Sequence, residues 1–356
     1  MAAALVFTPS SRPTLAQAGA PRLEPMIRDY AKGHNFNGTI LIQSRDKTIY
    51  HKSFGIADRA FSVPCQNDTK YKVASITKAF TAVLILQLYD EGKLDLHGTI
   101  KTHLPSYTGE GAERVTVHHL LGHTSGIQNF DTVTSYQEGF KNGVGQYQAP
   151  LTTDQLLTRY CSGKLVNEVG KVFDYNNGDY IILGKIIEAI SGKTYERMLT
   201  DRILEPLGMR DSGMLYQHTI VTNLANTYFL RDDLNVMIND MPVYIENWYS
   251  AGALYSTTAD LAKFASALYA SKLLKRETLS LMLSPGLDDY GYGVWIRNIE
   301  VGGKQYRIAQ RPGSIMGANS ELLHVIDKDL TIVILSNTNT ADLDDFSYRI
   351  GRALIR

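Results

Sequence analysis

Residues 38–54 are β-rich and alternate apolar with polar positions on both sides of the polar stretch Ser44-Arg45-Asp46-Lys47. That period of two predicts a hairpin closed by a polar turn. A second hairpin is expected near the other end, where residues 322–326 and 330–335 flank Asp327-Lys328-Asp329. Between them the spacing of apolar residues turns helical: 76–90 closing at Gly92, 154–160, 181–190 closing at Gly192, and 260–270. A last helix is predicted over 343–355. Strands at both ends with helices between them predict an α/β (α+β) chain, whose one sheet takes strands from both termini and carries an inserted helical region. The expected division is a leader over 1–20, a discontinuous α/β domain over 21–70 plus 285–356, and a mainly helical region over 71–284. The boundaries then fall near Tyr71 and Pro285. No repeat of fixed period and no low-complexity tract is visible.

Composition narrows the function. The 356 residues are 44% apolar and 20% charged, the balance of an ordinary globular protein. Lys plus Arg equals Asp plus Glu at 36 each, so there is no basic excess to neutralise phosphates, and nucleic acid is not expected as a partner. The longest apolar run, 82–88, is interrupted by Gln87 and falls far short of the roughly 20 residues that cross a bilayer. No membrane span is expected. The first 20 residues are rich in Ala, Ser, Thr and Pro, and Leu15-Ala16-Gln17-Ala18 ends in the small-x-small form of an export cleavage site. This predicts a periplasmic or secreted enzyme carrying the stump of a signal peptide, with a disordered cytoplasmic leader as the alternative. Cys65 and Cys161 are open to one disulfide or two buried thiols.

The candidate chemistry begins at Ser75 and Lys78, three apart at the start of a helix and so on one face. A serine hydroxyl becomes a useful nucleophile when a neighbour takes its proton, and a lysine does so when burial lowers its pKa. The helix N-terminus favours developing negative charge, and the Ser75 N–H is available to an oxyanion. A second Ser-x-x-Lys, Ser44 to Lys47, lies in the polar turn, where its lysine stays solvated and protonated. The copy at Ser75 opens a helix apolar almost all round (Ile76, Ala79, Phe80, Val83, Leu84, Leu86, Leu88), which implies a buried setting that desolvates Lys78.

Two further groups stand out. Tyr175, alone among 21 tyrosines, begins a Tyr-x-Asn, in Tyr175-Asn176-Asn177-Gly178 ahead of the apolar helix; a plain turn with a packed tyrosine is the structural alternative. Arg311-Pro312-Gly313-Ser314 precedes the second hairpin and reads either as an edge strand facing a cleft or as an exposed loop.

Taken in order, these groups resemble the active-site signature of the serine β-lactamase and penicillin-binding-protein superfamily. The closest branch is that of class C and D-alanyl-D-alanine carboxypeptidase-like enzymes, which also contains esterases. The resemblance runs from about Asn37 onward and includes His119-Leu120-Leu121-Gly122-His123-Thr124-Ser125-Gly126, Glu205-Pro206-Leu207-Gly208-Met209, Ser250-Ala251-Gly252-Ala253-Leu254-Tyr255-Ser256-Thr257 and Tyr290-Gly291-Tyr292-Gly293-Val294-Trp295. It implies a β-lactamase-like fold with an antiparallel sheet, the active site lying between the two regions. Ser75 would attack, Lys78 accept its proton and Tyr175 pass that proton to the leaving group. Asn177 would hold the amide side chain of the substrate, and the N–H groups of Ser75 and Ser314 would form the oxyanion hole. Gly313 would let the strand approach the substrate. The reaction would be hydrolysis, through an acyl-enzyme, of an amide or ester bond in a small substrate, a β-lactam, a D-amino-acid peptide or an ester, with no cofactor. The third group departs from the usual Lys-Thr-Gly or His-x-Gly. Arg311 is permanently charged, and a bidentate clamp on a substrate carboxylate is its expected role. Pro312 removes a hydroxyl used for the same purpose, and Ala318-Asn319 follow Gly317 where an aromatic is common.

Other chemistries are weaker. His119 and His123 are four apart, but Gly122 ends the helix between them and no glutamate completes a zinc-protease motif, so no metal is expected. No Gly-x-Ser-x-Gly and no nucleotide-binding glycine loop occurs. The aromatics Tyr244, Trp248 and Tyr249 are candidates for a cleft wall. The rivals are a carboxylesterase of the same fold and a non-catalytic ligand-binding or sensor protein that keeps it. The oligomeric state is left open.

Overall fold

The computed structural model describes residues 15–131 and 136–355. A six-stranded antiparallel sheet is its centre, built from β1 (Gly38–Ser44), β2 (Lys47–Phe54), β3 (Trp295–Val301), β4 (Lys304–Ile315), β5 (Ala318–Val325) and β6 (Leu330–Ser336). The order across the sheet is β3-β4-β5-β6-β1-β2, so strands from the two ends of the chain meet where β1 pairs β6 from Gly38 opposite Ser336 to Ser44 opposite Leu330. Both predicted hairpins are present, and the two ends of the chain build one sheet.

Side-chain alternation along each strand supplies two cores at once. Ile40, Ile42, Ile332 and Ile334 point to one face, where Leu23 and Ile27 of α1 (Leu15–Gly33) and Phe346 and Ile350 of the C-terminal helix cover them. Leu41, Val333 and Leu335 point to the other face and join the larger core under the helical region. At the centre of that region is α2 (Thr77–Asp90), with ten of its apolar or small residues among the buried set from Thr77 to Leu88. A helix without a polar face lies inside the protein. Packed against it is α4 (Asn177–Ser191), which starts four residues before its apolar run because Asn176 caps it, accepting from the Gly178 N–H at 2.8 Å. The short α3 (Val117–Leu121) leads into the site from the other side, α5 (Thr258–Tyr269) packs on β6 and β1, and α6 (Leu343–Ile355) closes the chain.

Two expectations need correction, and one left open is settled. α1 begins at Leu15, within the stretch read as a leader, despite Pro21 and Pro25, whose missing N–H donors hide a helix from a pattern reading. The leader before Leu15 lies outside the described residues. The Arg311 segment is not on an edge strand of the sheet, since β3 covers β4 as far as Gln310, paired with Trp295. It is a local edge: β3 has ended, so Arg311 to Ile315 pair only with β5. Cys65 and Cys161 are both buried free thiols.

One tight contact of α4 with the rest is made at Gly184. A Cβ there would lie 2.1 Å from Ser250 Oγ and 2.6 Å from the Tyr249 ring, and Ser250 Oγ is itself tied to the Tyr180 carbonyl at 2.8 Å. Gly184→Ala therefore overpacks this seam, and we expect a loss of about 1–3 kcal/mol, read as a lower Tm in thermal unfolding.

Candidate active site

Ser75 sits in a 3₁₀ turn, Ala74–Ile76, that runs directly into α2. Ala74 is forced to φ +47°, a left-handed conformation that a residue with a Cβ rarely takes. The turn is held from below by β4. At Gly313 a Cβ would come within 2.6 Å of the Val73 carbonyl and 2.8 Å of the Ser75 nitrogen. The close approach expected of Gly313 is thus to the serine turn, and only glycine fits it.

Lys78, one helical turn on, is completely buried. Its Nζ donates to Ser75 Oγ at 3.1 Å, Asn177 Oδ1 at 2.7 Å and the Ala251 carbonyl at 2.8 Å. Three donors meet three acceptors when the amine is charged. When it is neutral, two N–H groups serve Asn177 and Ala251 and the lone pair faces Ser75. Burial lowers the Lys78 pKa to about 8, with the Arg311 charge adding to the fall and Tyr175 opposing it. On the other side of Ser75, the Tyr175 hydroxyl donates to Oγ at 2.9 Å. Burial alone raises this phenol, but the cations Arg311 and Lys78 outweigh it and bring it down to about 8.

Arg311 is where the structure differs most from expectation. Its side chain is fully buried: Nε donates to the Ser75 carbonyl at 2.6 Å, Nη1 to the Tyr290 hydroxyl at 3.1 Å and Nη2 to the Tyr175 hydroxyl at 2.6 Å. The guanidinium also lies 5.5 Å from the Tyr175 ring centre and 5.3 Å from that of Trp295. No face of it meets the cleft, so the carboxylate clamp expected of Arg311 is replaced by a brace behind Ser75 and Tyr175. Ser314 does face the cleft. Ile315 and Ala318 close a two-residue turn and form a hydrogen-bonded pair, so Ser314, opposite Asn319, turns its N–H away from β5 toward the side that β3 has left. Pro312 faces the same way, where its missing N–H breaks no rung.

The cleft in front of Ser75 is lined by Tyr175, Asn177 and Ser314 together with Asn129, Asp131, Tyr147, Met241, Trp248 and Met316. Of the three aromatics expected there, Trp248 lines it, stacked on Tyr147 with 3.5 Å between ring centres. Tyr249 lies buried behind it at φ +42°, and Tyr244 is outside the lining.

Residues 23–355 match the family model described as Beta-lactamase. The chain belongs to the Beta-lactamase family. A penicillin-binding protein of Bacillus subtilis is 28% identical over 334 residues, which is 88% of this chain and 71% of that one. Among solved structures, a penicillin-binding protein from Bacillus halodurans matches with a TM-score of 0.77 at 26% identity, over 91% of this chain and 98% of the other. A D-amino acid amidase from Ochrobactrum anthropi shares the fold with a TM-score of 0.80 at 21% identity, over 94% and 99%.

Within this Beta-lactamase family fold, two residues near Ser75 escaped the sequence reading. His123, weighed only as half of a metal pair with His119, is fully buried and grips the chain on both sides of Tyr175. Its carbonyl accepts from the Asp174 N–H at 2.9 Å, its Nδ1 accepts from the Asn176 N–H at 3.2 Å, and its ring packs 4.4 Å from that of Tyr175. Burial, then the charges of Lys78 and Arg311, hold it well below its usual pKa and so neutral. His119 serves elsewhere, accepting from the Thr116 N–H to cap α3. Asp131, a lone loop acid without any motif, accepts from Asn177 Nδ2 and from the Tyr147 hydroxyl, both at 2.8 Å.

Arg311→Lys tests the brace without an activity assay. One ammonium cannot reach Ser75, Tyr290 and Tyr175 together. The Tyr175 phenol should then titrate clearly above about 8 in an ultraviolet titration with Tyr175→Phe as the blank. An unchanged midpoint would remove Arg311 as the cause.

Proposed function

We propose that the chain is a serine hydrolase that cleaves an amide or ester of a small substrate through an acyl-enzyme on Ser75. Ser75 Oγ attacks the carbonyl carbon, and its proton passes to the Lys78–Tyr175 pair. The oxyanion is held by the N–H groups of Ser75 and Ser314. As the tetrahedral intermediate collapses, the Tyr175 hydroxyl protonates the departing amine or alcohol. Water then attacks the acyl carbon, gives a proton to the same pair, and Ser75 leaves with its proton restored. Asn177 positions Lys78 and presents an amide to the acyl group; Arg311 stabilises the phenolate form of Tyr175. Serine hydrolysis of amide or ester bonds is what the family, with a D-amino acid amidase among its structural neighbours, supports.

The observation that carries this reading is the placement of Ser75 Oγ between Lys78 Nζ at 3.1 Å and the Tyr175 hydroxyl at 2.9 Å, two groups with pKa values brought to about 8. A base poised near working pH is the requirement of general-base catalysis. The buried Arg311 also favours the amidase or esterase side of the family over a carboxypeptidase, because no described Lys, Arg or His lines the cleft to receive a substrate carboxylate.

An activated short-chain ester tests the nucleophile, since a good leaving group asks little of recognition. Wild type should turn it over with an acyl adduct of one chain visible by mass spectrometry, and Ser75→Ala should lose at least ~1,000-fold in kcat. Equal activity of the two would remove Ser75 from the chemistry.

The pH profile follows from the same pair. One proton leaves Lys78–Tyr175 near pH 8, and until it leaves no base faces Ser75. Ester kcat/KM should rise about tenfold per unit below this midpoint and level off above it. A profile flat from pH 6 to 9 would contradict the assignment.

A further inference from the structure

We propose that the cleft selects acyl groups carrying a protonated amine, with Asp131 as the counter-charge, so that its substrates are amides or esters of amino acids with the amino group free. The proposal rests on the Ser75 reading above.

Four observations meet here. Asp131 stands on the cleft wall with Ser75, Tyr175 and Asn177. Its carboxylate is fixed, because Oδ2 takes hydrogen bonds from the Tyr147 hydroxyl and Asn177 Nδ2, each 2.8 Å, and Tyr147 is itself clamped under Trp248. A carboxylate offers about four acceptor directions, so these two bonds orient it and leave capacity for an ammonium.

The charge balance of the wall comes second. Lys78 and Arg311 are fully buried; Lys78 spends its three N–H groups on Ser75, Asn177 and the Ala251 carbonyl, and Arg311 turns its three nitrogens to Ser75, Tyr290 and Tyr175. Among the described residues Asp131 is the charged side chain lining the cleft, and its sign suits a cation.

Third, Asn177 is turned to Asp131. One N–H of its amide is committed at 2.8 Å, and its oxygen is committed to Lys78 at 2.7 Å. An N-acylated substrate finds only the second N–H of that amide and meets Asp131 with a neutral group. An ammonium instead adds to the chain Lys78–Asn177–Asp131 at its negative end.

Fourth, the same cleft is lined by Trp248, Met241 and Met316, an apolar wall for the side chain of an amino acid.

The test compares phenylalanine p-nitroanilide and methyl ester, both enantiomers, with their N-acetyl and N-succinyl forms at pH 7, where an α-amine of pKa about 8 is protonated. Wild type should prefer the free amine over N-acetyl by ~10- to 100-fold in kcat/KM, with N-succinyl slowest, in line with a charge-assisted hydrogen bond. In Asp131→Asn that ratio should fall to near one, and Asp131→Lys should reverse it toward N-succinyl. The ratio is internal to each variant, so a general loss of activity does not imitate the result, and thermal unfolding reports any loss of fold. The proposal is overturned if wild type favours the N-acetyl form or cleaves neither amino-acid substrate, or if the free-amine ratio survives in Asp131→Asn. p-Nitrophenyl acetate separates the two levels. If wild type hydrolyses it and Ser75→Ala does not, the Ser75 reading stands whatever becomes of Asp131.

Discussion

Two cations are buried against one phenol, and the rest of the site follows from what that costs. Lys78 and Arg311 both reach toward Tyr175 and Ser75 from inside the protein, where neither is exposed to bulk solvent. Like charges in a low-dielectric setting favour the loss of one proton, and arginine cannot supply it. The proton must therefore come from Lys78 or Tyr175: burial first, and then the Arg311 charge, brings Lys78 from 10.5 to about 8, while the two cations bring Tyr175 from 10.0 to about 8 against its own burial. Whichever group gives it up, a base is left within 2.9 to 3.1 Å of Ser75 Oγ.

Such an arrangement persists only if the surroundings leave it no way to relax. Strain is stored at Ala74, His123 and Tyr249, at φ +47°, +54° and +42°, each beside a contact of the site. Ala74 precedes the serine, His123 brackets Tyr175, and Tyr249 leads to the Ala251 carbonyl that holds Lys78. The sheet bears on the first through Gly313, and α4 on the third through Gly184, both places where one added methyl group would collide. The packing is thus over-determined where the chemistry needs it.

What could be read from the chain alone was whatever is local. The two hairpins and the apolar α2 declare themselves through period, and the contrast between Ser44-Lys47 in a turn and Ser75-Lys78 on a buried helix separated two identical patterns by their setting. Tyr175 was distinguishable only by its Tyr-x-Asn. What could not be read depends on contacts distant in sequence. Arg311 resembles an exposed loop cation until β3 is seen to stop at Trp295, leaving the next residues of β4 to face the serine turn 236 residues away. His123 has backbone and ring roles that no spacing reveals. Asp131 belongs to no motif, and its meaning comes from Asn177, 46 residues on. α1 was missed for the opposite reason, since its prolines are a true local signal that tertiary packing against the sheet overrides.

The exchange at the third motif then links mechanism to specificity. A lysine in that place is long, flexible and able to share its charge between the phenol and a ligand. A planar guanidinium with three of its nitrogens on fixed oxygens is not. Committing the cation to Tyr175 secures the low phenol pKa, and the same commitment withdraws positive potential from the cleft. With both cations sealed behind the reactive groups, the field that a substrate meets is that of the wall in front, where Asp131 stands. On the proposed acyl-enzyme reading, the departure of the sequence from its family at Arg311-Pro312 therefore keeps the contacts of Ser75, Lys78 and Tyr175 in place while it leaves Asp131 as the charge on the cleft wall.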